Sequence, residues 1–549
     1  MKYFLILVLV LIIALTSFYF FNDRIIKFYE EEPYPLFESD FSRIDTTGYL
    51  FDDPQSRYAD YNKGLVYNIS DYGAISGYYD GEGDINEEII RDNTEAINRA
   101  IELASPNKAV VLIPEGNYVS GTIELKSNIT LRISGNLIGS RNRGDYLPRH
   151  FIFGENIRNI VIEGDGGKIM GEGEYFWNNP FLKPLESNLK VSDLRMLQLN
   201  HFLCKREKKD NRPSPFMQFT GSENITVRNL MIENSPGWTL TFRLSNDILV
   251  RDVVLNNNIR GGNVDGIDIV ATSNILIDNV LVSTADDAIV LKNPELDTSV
   301  SMTNITIRNA KISTTANGFK IGTETYSDIN NVIFVDSEIK TTGFYPGAIS
   351  GVAIESVDGS HVSNIFVDNI TMRGVLAPLF IRVGNRNKYG SKDLLSSIDN
   401  VSISNISSYD CQLPSVISGV NDKGIILKAT NIYINNFNVE YLDTPEILFI
   451  SPAIPENPAD YPEVWMFGDV LAYGIYIRHA EVKYENLHII PRAVNMREEI
   501  VIDEGVANYI FFLFKILLIG GFFFGFLFML LRNLKKEIFT PSHFKFKWE

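Results

Sequence analysis

The chain has 549 residues, a formal net charge of -18 and a pI near 4.9. Such an acidic chain is a poor partner for nucleic acid, and a polyanionic ligand would need basic residues gathered at its site. Two cysteines, Cys204 and Cys411, make no disulfide framework, though one bridge stays open, and six histidines without ligand spacing make no zinc motif.

Residues 3–21 are almost wholly apolar, about the length of a membrane-spanning helix of roughly 20 residues. A cleaved signal peptide is the competing reading, but no small-x-small cleavage site follows. We assign 1–24 as a signal-anchor or transmembrane segment and 25–65, acidic and aperiodic, as a tether. A second apolar run, 509–531, precedes Arg532, Lys535 and Lys536, which places 532–549 in the cytoplasm. The region 66–495 would then be an extracytoplasmic domain held at a membrane, with 496–508 as a linker.

The folded region opens near Tyr67. Asp92-Asn93-Thr94-Glu95 has the pattern of a capping box, with Asp92 at the cap. Ile97, Ala100, Ile101 and Ala104 follow at helical spacing. This predicts a helix near 92–104, which would cover the open end of a stack of strands.

Beyond it an Asn or Asp repeatedly opens a short β-branched run, at 128, 159, 224, 247, 274, 304, 331, 364, 400 and 431. The irregular interval is that of one coil of a parallel β-helix plus loops of variable length. Alternation such as Ile-x-Ile puts every second side chain inside. Asn suits the corners because it tolerates left-handed backbone, so these sequons read as corners more than as glycosylation sites. A leucine-rich repeat is the alternative, but its Leu-x-x-Leu-x-Leu frame is missing. Residues 175–215 and the Pro-rich 443–470 interrupt the repeat as long loops.

The chemistry concentrates in 262–292. Asp265 is separated from the adjacent pair Asp286 and Asp287 by close to one repeat. Stacked coils lie roughly 4.8 Å apart, so the three carboxylates meet on one face. Crowded like charges raise at least one pKa, and an acid beside an ionised base suits glycosidic hydrolysis. Asp268 is a weaker candidate and reads as a turn residue.

Asn263-Val264-Asp265-Gly266 with Asp286-Asp287 resembles the Asn-Thr-Asp and Asp-Asp motifs of polygalacturonase-type glycosidases, glycoside hydrolase family 28. Asp71-Tyr-Gly-Ala and Ile113-Pro-Glu-Gly-Asn-Tyr118 resemble the family's N-terminal cap. Tyr461-Pro-Glu463, Met466-Phe-Gly468 and the run from Tyr473 to His479 resemble a C-terminal signature of its bacterial members. The resemblance implies an all-β, single-stranded right-handed parallel β-helix acting on pectin-like polysaccharide, without a metal or other cofactor. It implies that Asp286 is the acid and that Asp265 and Asp287 activate water, with inversion. Asn263, Lys292, Asn317, Lys320, Glu355 and Arg382 are the expected substrate contacts.

Two departures stand out. The Gly-His-Gly motif falls on Ala316-Asn317-Gly318, where Asn317 cannot titrate. The Arg-Ile-Lys motif, which meets the substrate carboxylate, falls on Ala353-Ile354-Glu355. A Glu there would repel a uronate, which predicts preference for a less charged pectic substrate. Lys320, Arg382 and Lys292 offer positive charge nearby. Two other functions stay open: a polysaccharide lyase, and a membrane-held binding or adhesion β-helix with a decayed site.

Overall fold

A computed structural model describes residues 64–79, 87–177, 212–341, 347–390, 394–441, 454–468, 470, 472–491 and 498–503. Both apolar runs, Cys204, the tail and all of the proposed tether but residues 64 and 65 lie outside these residues. Among the described residues no helix is long and apolar enough to cross a membrane.

Helix α1, Glu87–Ala104, starts five residues before the expected cap, so Asp92 lies inside it. The residues of the supposed capping box do other work. Thr94 Oγ1 donates to Ile90 O, one turn back, and buried Asn93 joins the helix to the first coil through Ile75 and Val119. The apolar stripe is as expected: Ile97, Ala100, Ile101 and Ala104 enter the main core.

The rest is a stack of parallel coils. Among the described residues, one sheet has sixteen strands and another twelve, with every pairing inside them parallel. The twelve-stranded sheet carries the acids. Its strands include β1 (Leu240–Arg243), β2 (Ile267–Val270), β3 (Ile289–Asn293), β4 (Asn317–Thr325), β5 (Ser350–Ser356), β6 (Ala377–Val383), β7 (Ser415–Ser418) and β8 (Ala472–Arg478), adjacent in that order. Alternate side chains, such as Ile267, Ile289, Phe319, Val352 and Leu379, fill one continuous interior.

The Asn-led repeat marks the corners. Asn224, Asp247, Asn274, Asn304, Asn331 and Asn364 all have φ between 54° and 59°. Side-chain amides of the Asn members also bond from coil to coil: Asn304 Nδ2 donates to Asn274 Oδ1 at 2.9 Å. A second ladder five residues later, through Asn229, Asp252, Asn279, Asn309, Asp336 and Asn369, has the same backbone and was not read from the sequence.

A last strand, Glu498–Asp503, pairs with β8, so part of the expected linker belongs to the sheet. Free Cys411 is buried.

Candidate active site

Asp265 and the Asp286–Asp287 pair sit in the turns that lead into β2 and β3. Adjacent coils bond directly there, Asp286 N to Val264 O at 3.0 Å and Gly266 N to Asp287 O at 3.0 Å. Gly266 permits this approach, because a Cβ at that position would lie 2.3 Å from Ala288 O. Hydroxyls lock the turns: Thr284 donates to Val264 O, Thr315 to Ala285 O and Thr314 to Asp286 O.

The three carboxylates have unlike surroundings. Asp286 is half-exposed, whereas Asp265 and Asp287 are 3% and 6% exposed. Asp287 Oδ1 accepts from Asn317 Nδ2 at 2.8 Å, and its Oδ2 lies 3.5 Å from Lys320 Nζ. Asn317 therefore holds Asp287 by hydrogen bonding alone. Asp265 Oδ2 lies 3.2 Å from Lys292 Nζ, while its buried Oδ1 has no protein donor.

Lys292 also binds Asp268 Oδ1 at 2.7 Å and stands 3.7 Å from the centre of the Trp238 ring. Asp268 is thus no turn residue. It lies within β2, fully buried beneath that ammonium. One cation serves two buried carboxylates. Burial raises the Asp265 carboxyl well above its usual range against the pull of Lys292, and raises Asp268 to about 6. The shorter bond of Lys292 to Asp268 leaves Asp265 the less firmly held of the two.

Lys320 is 1% exposed and faces Asp287, Glu355 at 3.7 Å and Glu463 at 3.8 Å. Glu355 is wholly buried, and neither of its oxygens accepts a hydrogen bond. Burial drives its carboxyl well up, with Lys320 opposing. Glu355 thus faces Lys320 inside the protein and has no exposed surface, so its charge is met by the lysine.

Arg382 is spent elsewhere. It donates to Ser418 Oγ, Gly419 O, Glu456 O and Asn457 O and so holds the 454–468 segment. Asn263 is exposed at the rim, with φ of 51°.

Three contributors were missed. Buried Arg212 donates to Pro236 O and Gly262 O, within the electrostatic reach of Asp265 and Asp286. Trp177 packs on Val264 and Ala285 behind the acids. Trp238 lies half-exposed beside Lys292. Arg212 and Trp177 stand at the edges of the 175–215 loop, where no repeat marks their place.

The family model for glycosyl hydrolases family 28 matches residues 104–446, more than half of the chain and all three acids. The chain belongs to glycosyl hydrolase family 28.

Curated relatives of this family 28 chain include Polygalacturonase QRT2 of Arabidopsis thaliana, 26% identical over 307 residues, covering 53% of this chain and 61% of the relative. Polygalacturonase-2 of Solanum lycopersicum is 26% identical over 324 residues, covering 58% and 62%. The chain thus spans about three-fifths of the length of these relatives. Among solved structures, the exopolygalacturonase of Thermotoga maritima superposes with a TM-score of 0.56 at 20% identity, covering 78% of this chain and 92% of that one. That likeness concerns the fold alone.

Proposed function

We propose that this family 28 protein is an inverting glycoside hydrolase of pectin-like polysaccharide. The observation that carries the proposal is the division among three converging carboxylates. Asp286 is half-exposed, whereas Asp265 and Asp287 are buried, each beside a lysine. An acid must reach the glycosidic oxygen, and a base must be fixed to hold water.

In the proposed step Asp286 gives its proton to the leaving oxygen as the bond to the anomeric carbon breaks. Water attacks that carbon from the opposite face and passes its proton to the Asp265–Asp287 pair. Carboxyls roughly 6.5–9.5 Å apart leave room for this water in inverting enzymes. Lys292, Lys320 and Arg212 offset the acids, so an acidic or partly esterified galacturonan does not meet an unrelieved negative site. Exposed Asn263 and half-exposed Trp238 are the proposed sugar contacts. The coils wind in the right-handed sense that parallel crossovers favour.

Reducing-end release from polygalacturonate, esterified pectin and neutral glycans, with product mutarotation followed by NMR, tests this reading. Release with inversion is expected. No release from any of them, or retention, overturns it.

We further propose that the apolar runs 3–21 and 509–531 hold the domain on the outer side of a membrane. Protease added to intact cells should cut the domain, and full protection would reverse the orientation.

A further inference from the structure

We propose that this protein attacks its polysaccharide from a chain end, because the 454–468 segment covers the acid-bearing sheet from β5 onward, two strands beyond the one that the Asp286–Asp287 pair leads into. The inference rests on the polysaccharide reading above.

One row of side chains crosses the outer face of the acid-bearing sheet. Asp268, Val290, Lys320, Ala353, Phe380, Val416 and Tyr476 pair in register on successive strands from β2 to β8. The residues between them point into the core, so this row faces outward. Up to Lys320 it is mixed in character, and from Ala353 onward it is apolar or aromatic. An exposed apolar strip on a sheet demands a cover. Val464, Trp465 and Phe467 supply it, packing on Ala353, Phe380, Val416 and Tyr476 to form a second buried core outside the coil.

The cover is pinned as well as packed. Arg382 reaches Glu456 O at 2.7 Å and Asn457 O at 3.1 Å, and Arg478 reaches Ile454 O at 2.9 Å. Asn385 N donates to Pro458 O at 2.7 Å, and Asn421 N to Glu456 Oε2 at 2.8 Å. Lifting the segment would strand two buried guanidinium groups and expose the apolar strip, so it is a wall and not a lid.

The edge of the wall stands at the acids. Glu463 faces Lys320, which faces Asp287, and the ring of Tyr461 lies 5.5 Å from the Lys320 ammonium. Tyr461 is 57% exposed. Coils are spaced roughly 4.8 Å apart, about one sugar ring each. An enzyme cutting inside a chain needs several open coils on both sides of its acids. On this side the sheet is covered from β5 onward, so a bound chain must terminate near Tyr461.

The test has a catalytic arm and a binding arm. In the first, wild-type protein digests polygalacturonate and esterified pectin while viscosity and reducing ends are followed together. Chain-end attack gives one short product from the outset, with viscosity falling slowly per bond cut. A ladder of oligomers with an early viscosity collapse overturns the proposal. In the second, the Asp286→Asn variant binds galacturonate oligosaccharides of one to six units carrying a bulky fluorophore on one terminus or the other. A tag on one terminus should weaken binding at least tenfold, and a tag on the other should be tolerated. Equal tolerance of both tags overturns the chain-end inference while leaving the glycosidase reading intact. If no glycan is bound or cut, the polysaccharide reading itself fails and this inference with it.

Discussion

The ammonium of Lys292 lies 3.2 Å from Oδ2 of Asp265 and leaves Oδ1 of the same carboxylate buried without a protein donor. One oxygen is thus held by a cation and the other is buried without a hydrogen-bond partner. This is the arrangement expected of a base that must stay ionised while it holds the attacking water in place. It assigns Lys292 to positioning Asp265, since the lysine is 6% exposed and already shared with Asp268.

The pH dependence follows from that pair. Burial raises the Asp265 carboxyl and Lys292 opposes the rise. A base works only when ionised, so activity is present above its pKa and lost as pH falls through it. Lys292→Met removes the opposing charge and should move the acidic limb of kcat/KM to higher pH, whereas Lys292→Arg should largely restore its position. An unchanged limb in the Met variant would show that Lys292 does not tune Asp265.

The three acids should act as a unit. Asp286→Asn, Asp265→Asn and Asp287→Asn should each lower kcat by about 10²–10⁴-fold. Combining two should cost far less than the product of the single effects, because each removes the same concerted step. Steady-state kinetics on the preferred substrate measures this, and near-normal turnover in Asp286→Asn would remove it as the acid.

Glu355 predicts a stability effect in place of a substrate effect. Its raised carboxyl holds a proton in the folded state to higher pH than in the unfolded chain, where the value is about 4.3. The stability it contributes is complete below that unfolded value and is lost as pH rises through the folded one. Glu355→Gln keeps the shape and cannot ionise, so its Tm should decline less with rising pH than that of wild type. Parallel Tm–pH curves would mean that Lys320 keeps Glu355 ionised throughout.

At the corners, backbone and side chain contribute separately. Asn274 has φ of 55° and bonds Asn246 and Asn304 through its amide. Asn274→Gly loses the ladder bonds but keeps the backbone, whereas Asn274→Ala loses both. The Ala variant should be less stable than the Gly variant by about 1 kcal/mol, the lower end of the cost of left-handed backbone for an L-residue. Chemical denaturation of the two variants checks the difference.

Much of this was legible in the chain itself. An Asn before each β-branched run announces a corner, because the amide both tolerates positive φ and bonds its counterpart one coil away. The separation of Asp265 from Asp286 and Asp287 matches one coil, so their meeting followed from the period alone. The start of α1 was misread because Asp92 and Glu95 imitate a cap. Nothing local told that Asn93 was wanted inside the helix as a bridge to the first coil.

Tertiary structure decided the rest, because it concerns residues that share no period. Sequence placed Glu355 where a uronate would meet it. Only the register of β4 on β5 and the covering segment brought Lys320 and Glu463 against it and buried the charge. Asp268 looked like a turn until the strand pairing set it under Lys292. A loop carries no repeat to mark where it returns, so the fold alone revealed that 454–468 lies across the sheet beside the acids. The repeat determines the scaffold through interactions between neighbouring coils, and the site's electrostatics and open length come from contacts that leave that repeat.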